Sequence, residues 1–202
     1  MEGDTPNPKN IVRYAMKTCG KVCDDLNGSL VRHNNAGVIW PDKWCPPAAG
    51  SFKVNTDAGC MRGLGAGLGD VLRDDQGAVC VCIVSQSPDN WEPNIAEARA
   101  VLEGMKLAKS YGVQYLIVES DCLAIIQALR DRVSGSGYLH LIVDDILDFC
   151  KHFVSVNWSF VKKGGNKISH CLAHFQPWKV GQRVWHDAIP SRVMELAIAD
   201  LI

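Results

Sequence analysis

Three strand-like runs in immediate succession, then a strong helix and a short apolar run, restrict this chain to few folds. Residues 51–58 (SFKVNTDA) alternate, with Phe52, Val54 and Thr56 on one face and Lys53, Asn55 and Asp57 on the other. That period of two is the mark of a strand. Residues 66–73 (AGLGDVLR) and 78–87 (AVCVCIVSQS) read as two more, joined by a hairpin turn at Asp74-Asp75-Gln76-Gly77. Strands joined by links this short form an antiparallel meander. Residues 94–111 then carry Ala98, Val101, Leu102, Met105 and Ala108 at helical spacing. Asn94 and Glu97 stand as a capping box, and Gly112 suits the stop. The nearly all-apolar run 115–119 (YLIVE) predicts a buried central strand.

Helices over 122–131 and 138–152, an alternating strand over 154–161 and a helix over 166–178 complete the pattern. The order βββ-α-β-α-α-β-α predicts an α/β fold. Its sheet is mixed and five-stranded, a three-strand antiparallel meander plus two parallel strands, flanked by helices. Residues 1–43 read as an extension and linker with a short helix over 11–26, residues 44–180 as the folded domain, and 181–202 as an amphipathic tail.

Three carboxylates fall at telling places in this order. Asp57 lies near the end of the first strand, Glu97 in the first turns of the first helix, and Asp121 just past the fourth strand. If the first and fourth strands are neighbours, Asp57 and Asp121 stand side by side and the helix can aim Glu97 at the same point. Acids so gathered repel unless a divalent cation offsets them, and oxygen donors suit Mg²⁺ or Mn²⁺. Taken singly, Asp121 reads as a turn or N-cap residue and Glu97 as a capping partner. Asp57 is harder to dismiss, because an acid inside a central strand is costly unless it is paired.

The formal net charge is −1, with 21 Lys and Arg against 22 Asp and Glu, so charge alone does not announce a nucleic-acid binder. No run of 18 apolar residues is present, which excludes a membrane-spanning helix. The first 20 residues carry charges throughout and lack an apolar core, so no signal peptide and an intracellular site are expected. Nine cysteines without a CxxC argue for reduced thiols and against a disulfide framework or zinc module. Gly63, Gly65, Gly67 and Gly69 fit a dinucleotide fingerprint only loosely, because they sit in a meander and do not open a helix. His170 and His174 have the i, i+4 spacing of a zinc pair, but no third ligand is evident in the sequence. Trp91, in the loop before the first helix, is the best aromatic candidate to stack on a base or sugar.

The segments KVNTDAG, LRDDQGAV, AEARAVLEGMKLA, LIVESDCLAIIQAL and NKISHCLAHF occur in order. Together they resemble the type 1 ribonuclease H domain, and most closely the plant RNase H-like domains related to non-LTR retroelement reverse transcriptases. The resemblance covers about residues 44–202. It implies the ribonuclease H-like fold and a metal-dependent endonuclease that cuts the RNA strand of RNA–DNA hybrids with Mg²⁺ (or Mn²⁺). Asp57, Glu97 and Asp121 match the family's metal ligands, and His170 stands where the family carries a fourth acid. The catalytic set implied is therefore Asp57, Glu97, Asp121 and His170. Gly59, Asn94 and Asn166 are further candidate nucleic-acid contacts. Lys162 and Lys163 stand in the loop where many members place a His; as point charges they could instead hold a phosphate. A nuclear site is a family expectation, and no obligate protein partner is expected. The alternatives are a nucleic-acid-binding module with impaired cleavage, and a retroelement remnant acting only through protein contacts.

Overall fold

The computed structural model describes residues 32–34, 37–133 and 135–202, the segments 32–34 and 37–39 by backbone alone. The helix expected over 11–26 lies outside the described residues. A small antiparallel pair, β1 (Arg32–Asn34) and β2 (Gly37–Ile39), precedes the main body. The body follows as β3 (Phe52–Met61), β4 (Gly65–Arg73), β5 (Val79–Ser87), α1 (Pro93–Ser110), β6 (Tyr115–Ser120), α2 (Leu123–Asp131), α3 (Tyr138–Phe149), β7 (Ser155–Phe160), α4 (Lys167–Ala173), β8 (Gly181–Trp185) and α5 (Ser191–Ala199).

The main sheet has the strand order β7-β6-β3-β4-β5-β8. β3, β4 and β5 form the expected meander, and β6 and β7 extend it in parallel on the β3 side. The sequence predicts five strands and a tail from 181; instead Gly181–Trp185 adds a sixth strand, antiparallel to β5. This strand is short and partly exposed on both faces, so it carries no clean alternation to read. α5 then folds back, and Val193 and Ala197 pack on the sheet with Val71, Cys82, Val84, Ile168 and Leu172. The tail is thus part of the folded body.

Helices cover both faces. α1, α2 and α3 bury Val101, Met105, Ile125, Leu129, Ile142 and Ile146 against Val54, Leu72, Leu116 and Val118. Each such side chain contributes about 1.5–3 kcal/mol through burial. α4 and α5 lie on the opposite face, which carries Lys53, Asn55 and Asp57. That face reads as polar, yet Lys53 and Asn55 are only 2% and 1% exposed. Period-two alternation tells which residues share a face, not what covers it.

Several element ends differ from expectation for local reasons. α1 starts at Pro93 with Glu92 as N-cap and no side-chain cap, so Asn94 and Glu97 form no capping box. Proline's fixed φ suits the first helical position, which moves the N-cap from Asn94 to Glu92, two residues earlier. α4 ends at Ala173, well short of 178, and Pro177 disfavours helix at Gln176, so it does not resume there. Residues 40–43 also touch the domain they were expected to precede. The Trp40 ring packs edge-on against Phe160, and Lys162 binds Asp42 at 2.8 Å.

Gly67 and Gly69 have a structural purpose. A side chain at Gly69 would collide with the Ala173 nitrogen and the Ser169 carbonyl oxygen, and one at Gly67 with the Ala173 carbonyl oxygen. The absence of side chains lets α4 lie directly on β4. Gly69→Ala is expected to cost about 3 kcal/mol, since backbone on both sides cannot yield. An unchanged denaturation midpoint would contradict this packing.

Candidate active site

β3 and β6 run parallel with Thr56 opposite Ser120. Asp121, the first residue after β6, therefore stands beside Asp57, which lies inside β3 and not near its end as expected, because β3 runs on to Met61 paired with β4. α1 brings Glu97 to the same place, where the Ala58 backbone N–H donates to its carboxylate. The strand adjacency predicted from the sequence is the one observed, and it gathers the three acids.

Their charges are poorly accommodated without a cation. Burial, then the charges of Asp57 and Asp121, push Glu97 up to about 8; Ala58 and Lys163 oppose this. One oxygen, Glu97 Oε2, is buried without a hydrogen-bond partner. Burial and then Asp121 raise Asp57, against the lowering influence of His170 and His174. Crowded acids of raised pKa, one with an orphaned oxygen, form a donor set that a divalent ion would stabilise. Asp57, Glu97 and Asp121 have the donor chemistry for such an ion, but among the described residues their oxygens do not all lie within 4.8 Å of one another.

Asn166 was expected at the nucleic-acid surface. It is instead 1% exposed. Its Nδ2 donates to the Thr56 carbonyl and to Asp121 Oδ1, each at 2.9 Å, and its Oδ1 accepts from Asn55 Nδ2 at 3.3 Å. It positions Asp121 from below. Gly59 is buried beneath the His174 ring. Asn94 and Lys163 are exposed, whereas the exposed Lys162 is held by Asp42. Trp91 is half-buried, with Arg99 stacked 4.4 Å from its ring centroid, so it presents no open face on that side.

The imidazoles are part of the site. His170 Nδ1 lies 2.9 Å from Asp57 Oδ2, and His174 Nδ1 lies 3.0 Å from the His170 carbonyl oxygen. Among the described residues, Asp57, His170 and His174 form one group whose potential ligand atoms all lie within 4.8 Å of one another. The sequence shows the two histidines at a ligand spacing but hides Asp57 as their neighbour, since that contact joins residues 113 positions apart.

A family model described as reverse transcriptase-like matches residues 55–176, the segment that carries all three acids and both histidines. The chain belongs to the reverse transcriptase-like family. Solved structures agree in fold. RNase H1 from the archaeon Halobacterium salinarum is 16% identical, with a TM-score of 0.54 over 61% of this chain and 95% of that one. The N-terminal RNase H domain of a Mycobacterium tuberculosis protein is 18% identical, with a TM-score of 0.56 over 75% and 99%. LC11-RNase H1, solved in complex with an RNA/DNA hybrid, is 17% identical, with a TM-score of 0.56 over 61% and 94%. No curated protein sequence matches. This member of the reverse transcriptase-like family has the ribonuclease H-like fold.

One acid next to the site is not explained by it. Asp70 faces α1 from β4, opposite Thr56, and neither of its carboxylate oxygens has a hydrogen-bond partner. Burial pushes it well above the usual carboxylate range, and the charges of Glu103, Asp57 and Glu97 add to the effect. The folded state therefore holds the proton more tightly than the unfolded chain. That stability is fully present below the unfolded pKa, about 4, and is lost as pH rises through the folded value. Asp70→Ala should flatten this slope and stabilise the protein by about 2 kcal/mol at pH 8. Thermal unfolding at pH 5 and pH 8 checks it; an identical pH slope in the variant would contradict the assignment.

Proposed function

We propose that this protein is a metal-dependent ribonuclease that hydrolyses the RNA strand of RNA–DNA hybrids. The observation that carries the reading is the convergence of Asp57, Glu97 and Asp121 from β3, α1 and the end of β6. The hybrid-bound LC11-RNase H1 of the same fold supports the choice of substrate. Asp57, Glu97 and Asp121 would hold Mg²⁺ or Mn²⁺. When bound, such an ion polarises the scissile phosphate and makes a water a better nucleophile. Asn166 keeps one Asp121 oxygen fixed by hydrogen bond. His170 orients Asp57 from the solvent side, with its own ring largely exposed. Glu97, its pKa near 8, holds a proton close to neutral pH in the metal-free protein, and a bound cation would favour its ionised form. Exposed Asn94 and Lys163 flank the acids, suited to a minor-groove edge and a phosphate.

A second reading, hybrid binding with impaired cleavage, is favoured by His170, which stands where the related ribonucleases carry a fourth acid. An imidazole binds Mg²⁺ more weakly than a carboxylate does. His170→Asp tests the two together. We expect the wild type to cut a labelled hybrid better with Mn²⁺ than with Mg²⁺, and the variant to raise the Mg²⁺-supported rate about tenfold or more. A wild type that binds hybrid but cuts it with neither ion would establish the second reading.

A further inference from the structure

We propose that Asp57, His170 and His174 form a binding site for one borderline transition-metal ion, Zn²⁺ or Co²⁺, separate in donor chemistry from the all-carboxylate set. The site shares Asp57 with that set and takes His170 from the position of the fourth acid, and its test reads metal binding without hydrolysis. Four observations carry it. First, one ligand atom from each residue lies within 4.8 Å of the other two. Second, His170 in the last turn of α4 and His174 at its C-cap stand four residues apart, with ring centroids 4.3 Å apart. Third, the tautomer of His174 is set. The His170 carbonyl can only accept, so His174 Nδ1–H donates to it and Nε2 keeps its lone pair. A ligating histidine held through its other nitrogen in this way is the usual supporting arrangement at metal sites. Fourth, Gly59 makes the room. A Cβ there would lie 2.7 to 3.1 Å from atoms of the His174 ring, so any other residue would push the imidazole away.

The separation of His170 Nδ1 and Asp57 Oδ2 is 2.9 Å, shorter than the roughly 3.4 Å between two ligands on a tetrahedral ion with bonds of about 2.1 Å, so the pair would open slightly to admit one. In the metal-free protein a proton joins these atoms; a cation would replace it and release it to solvent. Two nitrogens and one oxygen favour Zn²⁺ and Co²⁺ over Mg²⁺. His170 and His174 are exposed, so further positions remain open to water, as at three-ligand zinc sites.

The test is Co²⁺ titration of the full chain, without nucleic acid and under thiol-reducing conditions, followed by visible absorption, with Zn²⁺ as competitor. We expect d–d bands saturating at one equivalent and erased by Zn²⁺. His174→Ala should weaken Co²⁺ binding roughly 100-fold, as should His170→Ala, with unchanged circular dichroism. His186→Ala, on an exposed residue outside the site, should bind as wild type does. Unaltered binding in His174→Ala, or a thiolate charge-transfer band showing that cysteines hold the ion, would overturn the proposal. Because no hydrolysis is measured, failure here leaves the nuclease reading standing, and the converse also holds.

Discussion

Asp57→Asn is expected to lower hydrolysis of hybrid RNA by about 10³-fold or more while the protein stays folded. Charge stabilisation by a bound ion is worth several kcal/mol at the transition state, and about 1.4 kcal/mol corresponds to tenfold in rate. An amide has the shape of the carboxylate but not its charge. The fold should survive because the Asp57 carboxylate is not an asset to the metal-free protein. Burial and the adjacent Asp121 raise its pKa against the help of His170, so the ionised form is held at a cost. Without added metal, Asp57→Asn should therefore unfold at a temperature equal to or above that of the wild type. Thermal unfolding and initial rates on one preparation separate the two effects. Loss of activity together with loss of fold would show that Asp57 is structural.

The largest stability effect is expected at Glu119. Its Oε2 accepts from Lys53 Nζ and from Ser159 Oγ, each at 3.0 Å, and its Oε1 accepts from Asn55 Nδ2 at 3.0 Å. Lys53 and Glu119 are each about 2% exposed. Glu119→Ala leaves the ammonium of Lys53 buried, with the Cys45 carbonyl at 2.8 Å as its remaining hydrogen-bond partner. The expected cost is about 3–5 kcal/mol. The double variant Lys53→Met, Glu119→Leu should recover most of that loss, because buried pairs are often replaceable by apolar side chains. Denaturant midpoints of the single and double variants check this; a double variant no more stable than Glu119→Ala would contradict it.

This network also supports the site. Asn55 accepts from Trp44 Nε1 at 2.9 Å and from Arg73 at 3.2 Å, and donates to Glu119 and Asn166. Asn166 in turn holds Asp121. The buried polar face of β3 thus connects the core to Asp121, and Arg73 ties it to the C-terminal end of α5 through Asp200 at 2.7 Å.

Legibility in the sequence followed the range of each interaction. The meander, α1 and the β3–β6 adjacency could be read because alternation, helical spacing and strand ends are local signals. They were enough to place Asp57, Glu97 and Asp121 together. The sixth strand could not be read: five residues with half-exposed faces are recruited by the open edge of β5, not by their own pattern. That Lys53 and Asn55 are buried was not legible, because their partners Glu119, Arg73 and Asn166 come from other elements. Asn166 was misplaced for the same reason, since its partners Thr56 and Asp121 lie on other elements. His174 needed Asp57 and the missing side chain of Gly59, which only the fold supplies.

The most direct measurement is a time course of labelled RNA in an RNA–DNA hybrid, beside the same RNA single-stranded and in an RNA duplex, with Mn²⁺, Mg²⁺ or chelator. Cleavage of the hybrid's RNA strand alone is expected, supported by divalent ion, abolished by chelator and lost in Asp57→Asn. Cleavage that persists in chelator or in Asp57→Asn, or that ignores the DNA strand, would contradict it.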